Sequence, residues 1–349
     1  DQAAEMTPDG FTFYGGVSHG VEKRSKVRSR IVADQLVRLV KEADHVVIMG
    51  HRMSDLDAIG AAEGVLRICK ICDVPAVIAV RRDATLAGSL IDALCRAGQA
   101  DDFIDPKAAL PIISKKTLCV VVDTYQLGLV ESKEILERCG KVAVIDHHRK
   151  GVGFIEHADL VCHEPYSSSA SELVTELLQY VGDRDDKPSR VEAEGLLSGI
   201  MLDTRDFTLH TGVRTFEAAA ALRRYGAETE RVRQLFDVTM VEYNAKADLV
   251  EAAQMYRSCA ISVSGEVPPE ARVAIAQAAN DLLTIQNVEA SFVAVQVGNG
   301  VNISARSLGA VNVQVIMESL GGGGHQTMAA AQLKHITPEA ARATHPDRH

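Results

Sequence analysis

Residues 141–149 read Lys-Val-Ala-Val-Ile-Asp-His-His-Arg, a short β-branched run that ends in one carboxylate and two imidazoles. Three similar apolar runs precede it along the chain. The four runs are His45–Met49, Ala76–Val80, Leu118–Val122 and Lys141–Ile145. They are continuous rather than alternating, which is typical of parallel strands that are buried on both faces. Helical patterns separate them, at Leu56–Cys69, Leu86–Ala97 and Glu131–Cys139. The sequence therefore predicts an α/β fold with an open parallel sheet.

The chain becomes mainly helical after residue 166. Helices are predicted at Ser168–Val181, Ser189–Leu202, Arg214–Tyr225 and Glu230–Phe236, followed by a connector helix at about 241–256. A second α/β pattern then begins. Its predicted elements are a strand near 259–263, a helix near 269–282, strands at 291–297 and 301–306, and a helix near 312–320. This pattern indicates a smaller accessory domain joined to the first by a helical linker.

The 349 residues suggest more than one domain. The predicted segments are a tail of a preceding domain at 1–30, a catalytic domain at 31–236, a helical linker at 237–256, an accessory domain at 257–335 and a C-terminal tail at 336–349. The chain opens at Asp1 rather than Met, so we expect it to be cut from a longer protein. No apolar run reaches the ~18 residues that span a bilayer, and we expect no membrane contact of this part.

The amino-acid composition of the chain limits the kinds of molecule that it can bind. The formal net charge is −10, whereas proteins that bind long nucleic acid need a basic surface to neutralise phosphates. This balance argues against a nuclease that grips a polymer. Seven cysteines at irregular spacing do not form a disulfide framework and indicate a reducing compartment.

Acidic and imidazole side chains cluster where the predicted strands end. The candidate residues are His51, Asp55 and Asp57 after the first strand, Asp123 after the third, Asp146, His147 and His148 after the fourth, and Asp203 at the end of a helix. A single Asp after a buried strand is often only a helix cap. Because ligands bind outside the carboxyl ends of parallel strands, clusters at several strand ends predict one shared crevice.

These residue types predict a metal centre. Carboxylates brought together repel one another unless a cation is present. Oxygen-rich ligation with a minority of His favours Mn²⁺, with Mg²⁺ or Co²⁺ as competitors. Six ligands are too many for one ion but fit two divalent ions, His51, Asp55, Asp57, Asp123, His147 and Asp203 being the candidates. Two ions that share a bridging carboxylate favour in-line hydrolysis of a phosphoester or phosphoanhydride.

Four consecutive glycines, Gly321–Gly324, precede His325. One glycine suffices for a helix C-cap, so the longer run predicts an anion-binding loop of backbone N–H groups. Ser304 and Arg306 could add a hydroxyl and a guanidinium to this substrate-binding loop.

Together these motifs resemble the DHH phosphoesterase family over about residues 31–335. Its hallmark matches Asp146-His147-His148, and its accessory-domain signature matches Gly322-Gly323-Gly324-His325. The resemblance implies one metal held by His51, Asp55 and Asp123, and the other by Asp57, Asp123, His147 and Asp203. It further implies that His148 faces the substrate phosphate, that Asp146 supports the His pair, and that the glycine loop with His325 and Arg306 binds the far end of the substrate.

Within the family, several stretches look closest to cyclic-di-AMP phosphodiesterases, which open the ring to linear pApA by two-metal-activated water. One such stretch is Glu164–Glu172 and another is Ser304–Gln314. The membrane-anchored type carries a GGDEF domain before the catalytic part, and residues 11–30 resemble the tail of that domain. This resemblance implies a catalytic piece on the cytoplasmic side of an anchored parent, and it is compatible with a homodimer.

Other functions stay open at this point. One is a nano-RNase or pApA phosphodiesterase of the same fold, which the residues alone do not separate from the ring-opening enzyme. An exonuclease is disfavoured by the acidic charge, and a pyrophosphatase by the nucleotide-suited glycine loop. A non-catalytic sensor of cyclic dinucleotides is disfavoured because a binding module need not keep six metal ligands.

Overall fold

A computed structural model describes residues 3–7, 10–14, 26–148, 153–183, 186–268, 273–324 and 326–334. The chain divides into two compact units, Asp1–Phe236 and Asp237–His349. At its start, β1 (Ala3–Thr7) and β2 (Gly10–Tyr14) pair as an antiparallel hairpin. Helix α1 (Lys26–Glu42) follows. The assignment of the first 30 residues to a preceding domain stays a prediction.

A six-stranded parallel sheet forms the centre of the first unit. Its strands are β3 (Val46–Met49), β4 (Ala76–Ala79), β5 (Phe103–Ile104), β6 (Leu118–Val122), β7 (Lys141–Asp146) and β8 (Leu160–His163). In space they are ordered β5-β4-β3-β6-β7-β8. The predicted α/β fold and its four strands are confirmed. The two edge strands, β5 and β8, were not predicted, because β5 has two residues and β8 alternates buried and exposed positions.

Helices cover both faces of this sheet. Besides α1 they are α2 (Leu56–Ile71), α3 (Gly88–Leu94), α4 (Pro106–Ala109), α5 (Lys133–Arg138), α6 (Ala170–Leu178), α7 (Arg190–Thr204), α8 (Val213–Arg224) and α9 (Thr229–Gln234). Successive residues of β3 enter different hydrophobic cores. Val46 and Ile48 belong to one core, and Val47 and Met49 belong to the other. This alternation explains why the strand has no polar face.

Helices α2 and α7 pack with their backbones in close contact. A Cβ atom at Gly60 of α2 would lie 2.5 Å from the carbonyl oxygen of Gly195 in α7. Only glycine fits at that distance. Because α2 carries Asp57 and α7 carries Asp203, this contact sets the separation of two candidate ligands.

The second unit begins with α10 (Met240–Glu251), whose Leu249 is buried in its core. Its other elements are β9 (Gln254–Tyr256), β10 (Cys259–Glu266), α11 (Val273–Leu282), β11 (Ala290–Val297), β12 (Gly300–Ser307), α12 (Val313–Ser319), β13 (Gly323–Gly324) and β14 (Met328–Lys334). The strands form one mixed sheet in the order β13-β14-β12-β11-β10-β9. The predicted connector helix is therefore too long, since β9 occupies its last turn.

Strands β13 and β14 were also not predicted. Strand β14 pairs antiparallel with β12, and its alanine-rich sequence gives little strand signal. The predicted C-terminal tail at 336–349 lies outside the described residues. Within the described part of the chain, no helix combines the length and apolar character needed to cross a bilayer.

Candidate functional site

The segment after β3 brings two candidate ligands to the C-terminal edge of the sheet. His51 Nε2 lies 3.8 Å from Asp55 Oδ1. The same Asp55 oxygen caps α2 by accepting hydrogen bonds from the backbone N–H groups of Asp57 (3.0 Å) and Ala58 (3.1 Å). Asp55 is thus a helix cap and a neighbour of His51 at once, and the cap holds its carboxylate in place.

Asp123 follows β6 and occupies the centre of the cluster. It is 3% exposed, and its φ of 56° is in the left-handed region that non-glycine residues seldom adopt. Asp123 Oδ2 lies 3.5 Å from His51 Nε2, and Asp123 Oδ1 lies 3.4 Å from His147 Nε2. One carboxylate therefore faces both imidazoles, one with each oxygen.

Asp57 is fully buried, and backbone donors at the start of α6 hold both of its oxygens. Oδ2 accepts a hydrogen bond from Ala170 N (2.7 Å) and Oδ1 accepts one from Ser171 N (2.8 Å). Gly199 of α7 lies against this arrangement, because a Cβ there would be 2.3 Å from Ser171 Oγ and 2.6 Å from Asp57 Oδ1. Sequence reasoning missed Gly199, which looks like an ordinary helical glycine.

The two histidines after β7 have different partners. His147 Nε2 lies 3.1 Å from Asp203 Oδ2 and 3.9 Å from Asp57 Oδ2. His148 Nδ1 instead forms a 2.8 Å hydrogen bond with Oδ1 of the fully buried Asp146, whose same oxygen accepts a bond from His148 N (3.2 Å). His148 is the more exposed of the pair, with 39% of its side chain accessible against 14% for His147. Asp146 therefore orients His148.

The candidate ligand atoms gather into three overlapping groups, each within 4.8 Å. The groups are His51-Asp55-Asp123, Asp57-His147-Asp203 and Asp123-His147-His148. Asp123 belongs to two of them, which is the arrangement that a bridging ligand requires. The structure thus brings all six predicted ligands to one place.

The electrostatics of the cluster fit a bound cation. Burial, followed by the charges of Asp123 and Asp203, raises the pKa of Asp57 well above its usual range. Burial opposes a charge on His51, but the carboxylates of Asp123 and Asp55 outweigh it and raise the His51 pKa to about 11. Protons therefore balance the carboxylates where a metal is lacking, and a divalent ion would displace them.

Two buried atoms at the centre of the cluster also indicate a bound cation. Among the described residues, Asp123 Oδ1 and His147 Nε2 form no hydrogen bond of good geometry, although carboxylate oxygens lie 3.1–3.9 Å from the imidazole nitrogen. Buried polar atoms are seldom left unpaired in folded proteins, so an unmet need of this kind marks a place for an ion. The oxygen-rich donor set is suited to a divalent metal.

The glycine run after α12 is less open than predicted. Gly321 has a φ of 78° and ends the helix, while Cβ atoms at Gly322 and Gly324 would lie 2.1 Å from Ala330 O and 2.4 Å from Ala329 Cα. Close packing on β14 thus explains two of the four glycines and the helix end a third. Built Cβ atoms at Gly321 and Gly323 would both meet open space, but Gly323 has no positive φ, so no contact among the described residues requires glycine there. His325 lies outside the described residues.

Ser304 and Arg306 of β12 are both 8% exposed. Arg306 Nη1 donates to Ser304 Oγ (3.2 Å) and to Ala305 O (2.9 Å), while Arg306 Nε donates to Asn280 Oδ1 (3.2 Å). The predicted hydroxyl and guanidinium therefore lie side by side. Asn280 of α11 helps to position them, and no motif identified it in advance.

Comparison with known proteins agrees with this geometry. Residues 45–200 match the DHH family, N-terminal domain, and residues 270–344 match the DHHA1 domain. The chain belongs to the DHH family. It carries the hallmark triplet on the strand end where the cluster forms, and the glycine run in its second unit.

Curated DHH-family relatives include two proteins of similar sequence. The chain is 46% identical over 345 residues to the cyclic-di-AMP phosphodiesterase GdpP of Geobacillus thermodenitrificans and 40% identical over 343 residues to the cyclic-di-AMP phosphodiesterase PdeA of Listeria monocytogenes. Each alignment covers 97% of this chain and 52% of the relative, so the chain spans about half the length of these proteins.

A solved structure supports the fold. An exopolyphosphatase-related protein from Bacteroides fragilis superposes with a TM-score of 0.77 at 19% identity, covering 93% of this chain and 96% of that protein. At this identity the likeness concerns the fold alone.

Proposed function

We propose that this chain is a metal-dependent phosphodiesterase that hydrolyses cyclic-di-AMP to linear pApA. The observation that carries the proposal is the position of Asp123 between two imidazole-carboxylate groups. Two relatives at 40% identity or more are cyclic-di-AMP phosphodiesterases, which supports this substrate for the present chain. The alternative of a nano-RNase that acts on pApA is not favoured by these relatives.

Each residue of the cluster has a role in the proposal. His51, Asp55 and Asp123 would hold one divalent ion, and Asp57, His147 and Asp203 would hold the other together with Asp123. Mn²⁺ is the proposed metal, because the set is rich in carboxylate oxygens with a minority of imidazoles. When bound, the ions supply Lewis-acid stabilisation of charge on phosphate and lower the pKa of water.

The side chains around the metal ligands orient the substrate. Asp146 accepts the hydrogen bond from His148 Nδ1, and although burial opposes a charge on the ring, this bond and the nearby carboxylates raise the His148 pKa. In the protonated imidazole both ring nitrogens are donors, so His148 is proposed to donate from Nε2 to a phosphate oxygen. Water adds to phosphorus and the P–O3′ bond breaks. One proton of the water ends on the O3′ hydroxyl, and the product keeps a 5′-phosphate.

In this proposal, residues of the second unit bind part of the substrate. Gly323, whose missing side chain leaves open space, and the Ser304–Arg306 pair receive a phosphate or sugar of the substrate, since N–H groups, a hydroxyl and a guanidinium are anion ligands. His325 is proposed to join them. The seven free cysteines support work in a reducing compartment, in line with the proposed cytoplasmic side of an anchored parent.

The test is incubation of the purified chain with cyclic-di-AMP and Mn²⁺, with and without EDTA, and separation of the products by ion-pair chromatography. We expect pApA to appear only with the metal, and AMP not to accumulate. Turnover of pApA without opening of the ring would reject the proposal in favour of the nano-RNase activity. Metal-independent binding without turnover would indicate a sensor.

A further inference from the structure

A cavity of about 460 Å³ lies in the second unit, between α11 and the strands β12 and β14. Its lining includes Ala276, Asn302, Ser304, Gly322, Ala330 and Gln332. The Ser304 end coincides with the proposed phosphate-binding pair. The remainder of the cavity has no role in the function described so far.

The strand register places the polar side chains of the cavity on one face. Asn302 of β12 pairs with Gln332 of β14, and Ser304 pairs with Ala330. Side chains of directly paired residues point to the same face, about 5 Å apart, and residues two apart on a strand share that face. The two carboxamides can therefore meet one edge of the same ligand, with Ser304 about 7 Å further along the strand.

The side-chain oxygen of Asn302, Oδ1, is buried and is unpaired among the described residues. A buried amide oxygen without a donor is uncommon, and it indicates a missing N–H group. Gln332 across the strand pair is exposed, so its amide is free to turn toward whatever occupies the cavity.

The remaining lining beside these amides is apolar. It consists of Ile275 and Ala276 of α11, Ile303 of β12, Gly321 and Gly322, and Ala330 and Ala331 of β14. An aromatic ring can pack against an apolar lining of this kind. A carboxamide matches the N6–N7 edge of adenine, because adenine presents an N–H donor there next to a ring-nitrogen acceptor. On the same edge guanine presents two acceptors and no donor, so Asn302 Oδ1 would face it without a hydrogen bond.

We propose that Asn302, together with Gln332, forms an adenine subsite that gives this domain its preference for adenine over guanine. This inference rests on the proposed function, because the Ser304–Arg306 end then holds the phosphate of the same nucleotide. Asn302 is a specificity residue, and it takes no part in the metal chemistry.

The test compares the wild-type chain with Asn302→Leu, which removes the amide at similar volume, and with Gln332→Leu. The matched control is Gln296→Leu on β11. Gln296 lies in the same sheet, but on the strand face that carries Ala294 and Phe292, which packs toward α12 rather than toward the cavity. Its amide contacts Gly298 O (3.4 Å). Rates with cyclic-di-AMP and cyclic-di-GMP give the ratio of kcat/KM, and circular dichroism checks the fold.

We expect Asn302→Leu to lower the preference for adenine about 10- to 100-fold. Gln332→Leu has a smaller effect in the same direction, Gln296→Leu leaves the ratio unchanged, and Mn²⁺ affinity stays the same in all variants. An unchanged ratio in folded Asn302→Leu overturns the inference while the proposed function stands. If the wild-type chain does not hydrolyse cyclic-di-AMP, the proposed function fails. Equilibrium dialysis of AMP and GMP with the same variants then decides the subsite, and equal binding of both nucleotides by the wild-type chain overturns it.

Discussion

Oδ1 of Asp123 and Nε2 of His147 lie 3.4 Å apart in the buried centre of the cluster, and neither forms a hydrogen bond of good geometry with any residue that the structure describes. The backbone accepts strain to bring them there, since Asp123 has a φ of 56°. A left-handed aspartate is costly and persists when its surroundings hold it. The two atoms are therefore placed to bind a further group, which we propose is a metal ion.

Replacing Asp123 with Asn tests this arrangement. Asn keeps the shape and tolerates the left-handed backbone, but it removes the negative charge that faces both imidazoles. We expect Asp123→Asn to lose high-affinity Mn²⁺ binding in calorimetry and to reduce kcat at least about 10³-fold. Asp105→Asn is the control, because Asp105 also follows a strand of this sheet but caps α4 through Lys107 N (2.8 Å). Normal turnover by Asp123→Asn would refute the bridging assignment.

The substitution Gly199→Ala should disturb the metal-binding cluster through the contact of α7 with Asp57. Alanine normally stabilises a helix relative to glycine by about 0.5–1 kcal/mol, but the new methyl group would overlap Ser171 Oγ and Asp57 Oδ1. We expect a loss of stability of about 1–3 kcal/mol and weaker Mn²⁺ binding. The matched variant Gly195→Ala meets only the flexible Leu90 Cδ1 at 3.1 Å and should be milder on both counts. Denaturant titration and calorimetry measure the two effects, and equal behaviour of the variants would count against the contact.

Substitutions at two neighbouring glycines should distinguish an effect on folding from an effect on substrate binding. Valine at Gly322 would collide with Ala330 O, whereas valine at Gly323 enters open space. We expect Gly322→Val to lower the Tm of the second unit by several degrees. Gly323→Val should keep the Tm and raise KM for cyclic-di-AMP about 10-fold or more, because the added side chain blocks the approach of an anion to the backbone. An unchanged KM would show that Gly323 takes no part in substrate binding.

Glu63 makes stability depend on pH away from the metal site. It is buried, and Gln99 Nε2 donates to its Oε1 (2.9 Å). Burial, followed by the charge of Glu192, raises the Glu63 pKa from 4.5 to about 8. Because the folded pKa is the higher one, this contribution to stability is complete below the unfolded pKa and is lost as pH rises through the folded pKa.

Glu63→Gln stays neutral at every pH, so its Tm relative to the wild-type chain should rise between about pH 5 and pH 8. Differential scanning calorimetry across this range measures the difference. Parallel curves for Glu63→Gln and the wild-type chain would show that Glu63 is ionised in the folded protein.

The central sheet and the strand-end cluster follow from sequence because each rests on a strong local signal. Buried parallel strands are continuous apolar runs, and their carboxyl ends meet at one edge, so His51 and Asp123 could be placed together before any coordinates. The two-residue β5 and the alanine-rich β14 have no such signal. Their pairing depends on neighbours that are distant in the chain.

Two features of the site depend on packing that no pattern encodes. Gly199 matters because α2 and α6 approach α7 at that point. Asn302 looks like a solvent-facing position of an alternating strand, and its burial depends on the adjacent β14 and α11. In the glycine run, the sequence suggested one role for four residues, whereas the structure shows a helix end at Gly321 and close packing at Gly322 and Gly324.

Asp203, the last predicted ligand, lies near the end of α7, after all six strands of the first sheet. On the ribosome, the earlier ligands emerge before the helix that completes their set. Full coordination therefore has to wait until α7 docks against α2 by backbone contact. A metal ion would therefore bind only after the first unit has folded. Metal starvation during growth should then yield folded but inactive protein rather than aggregates.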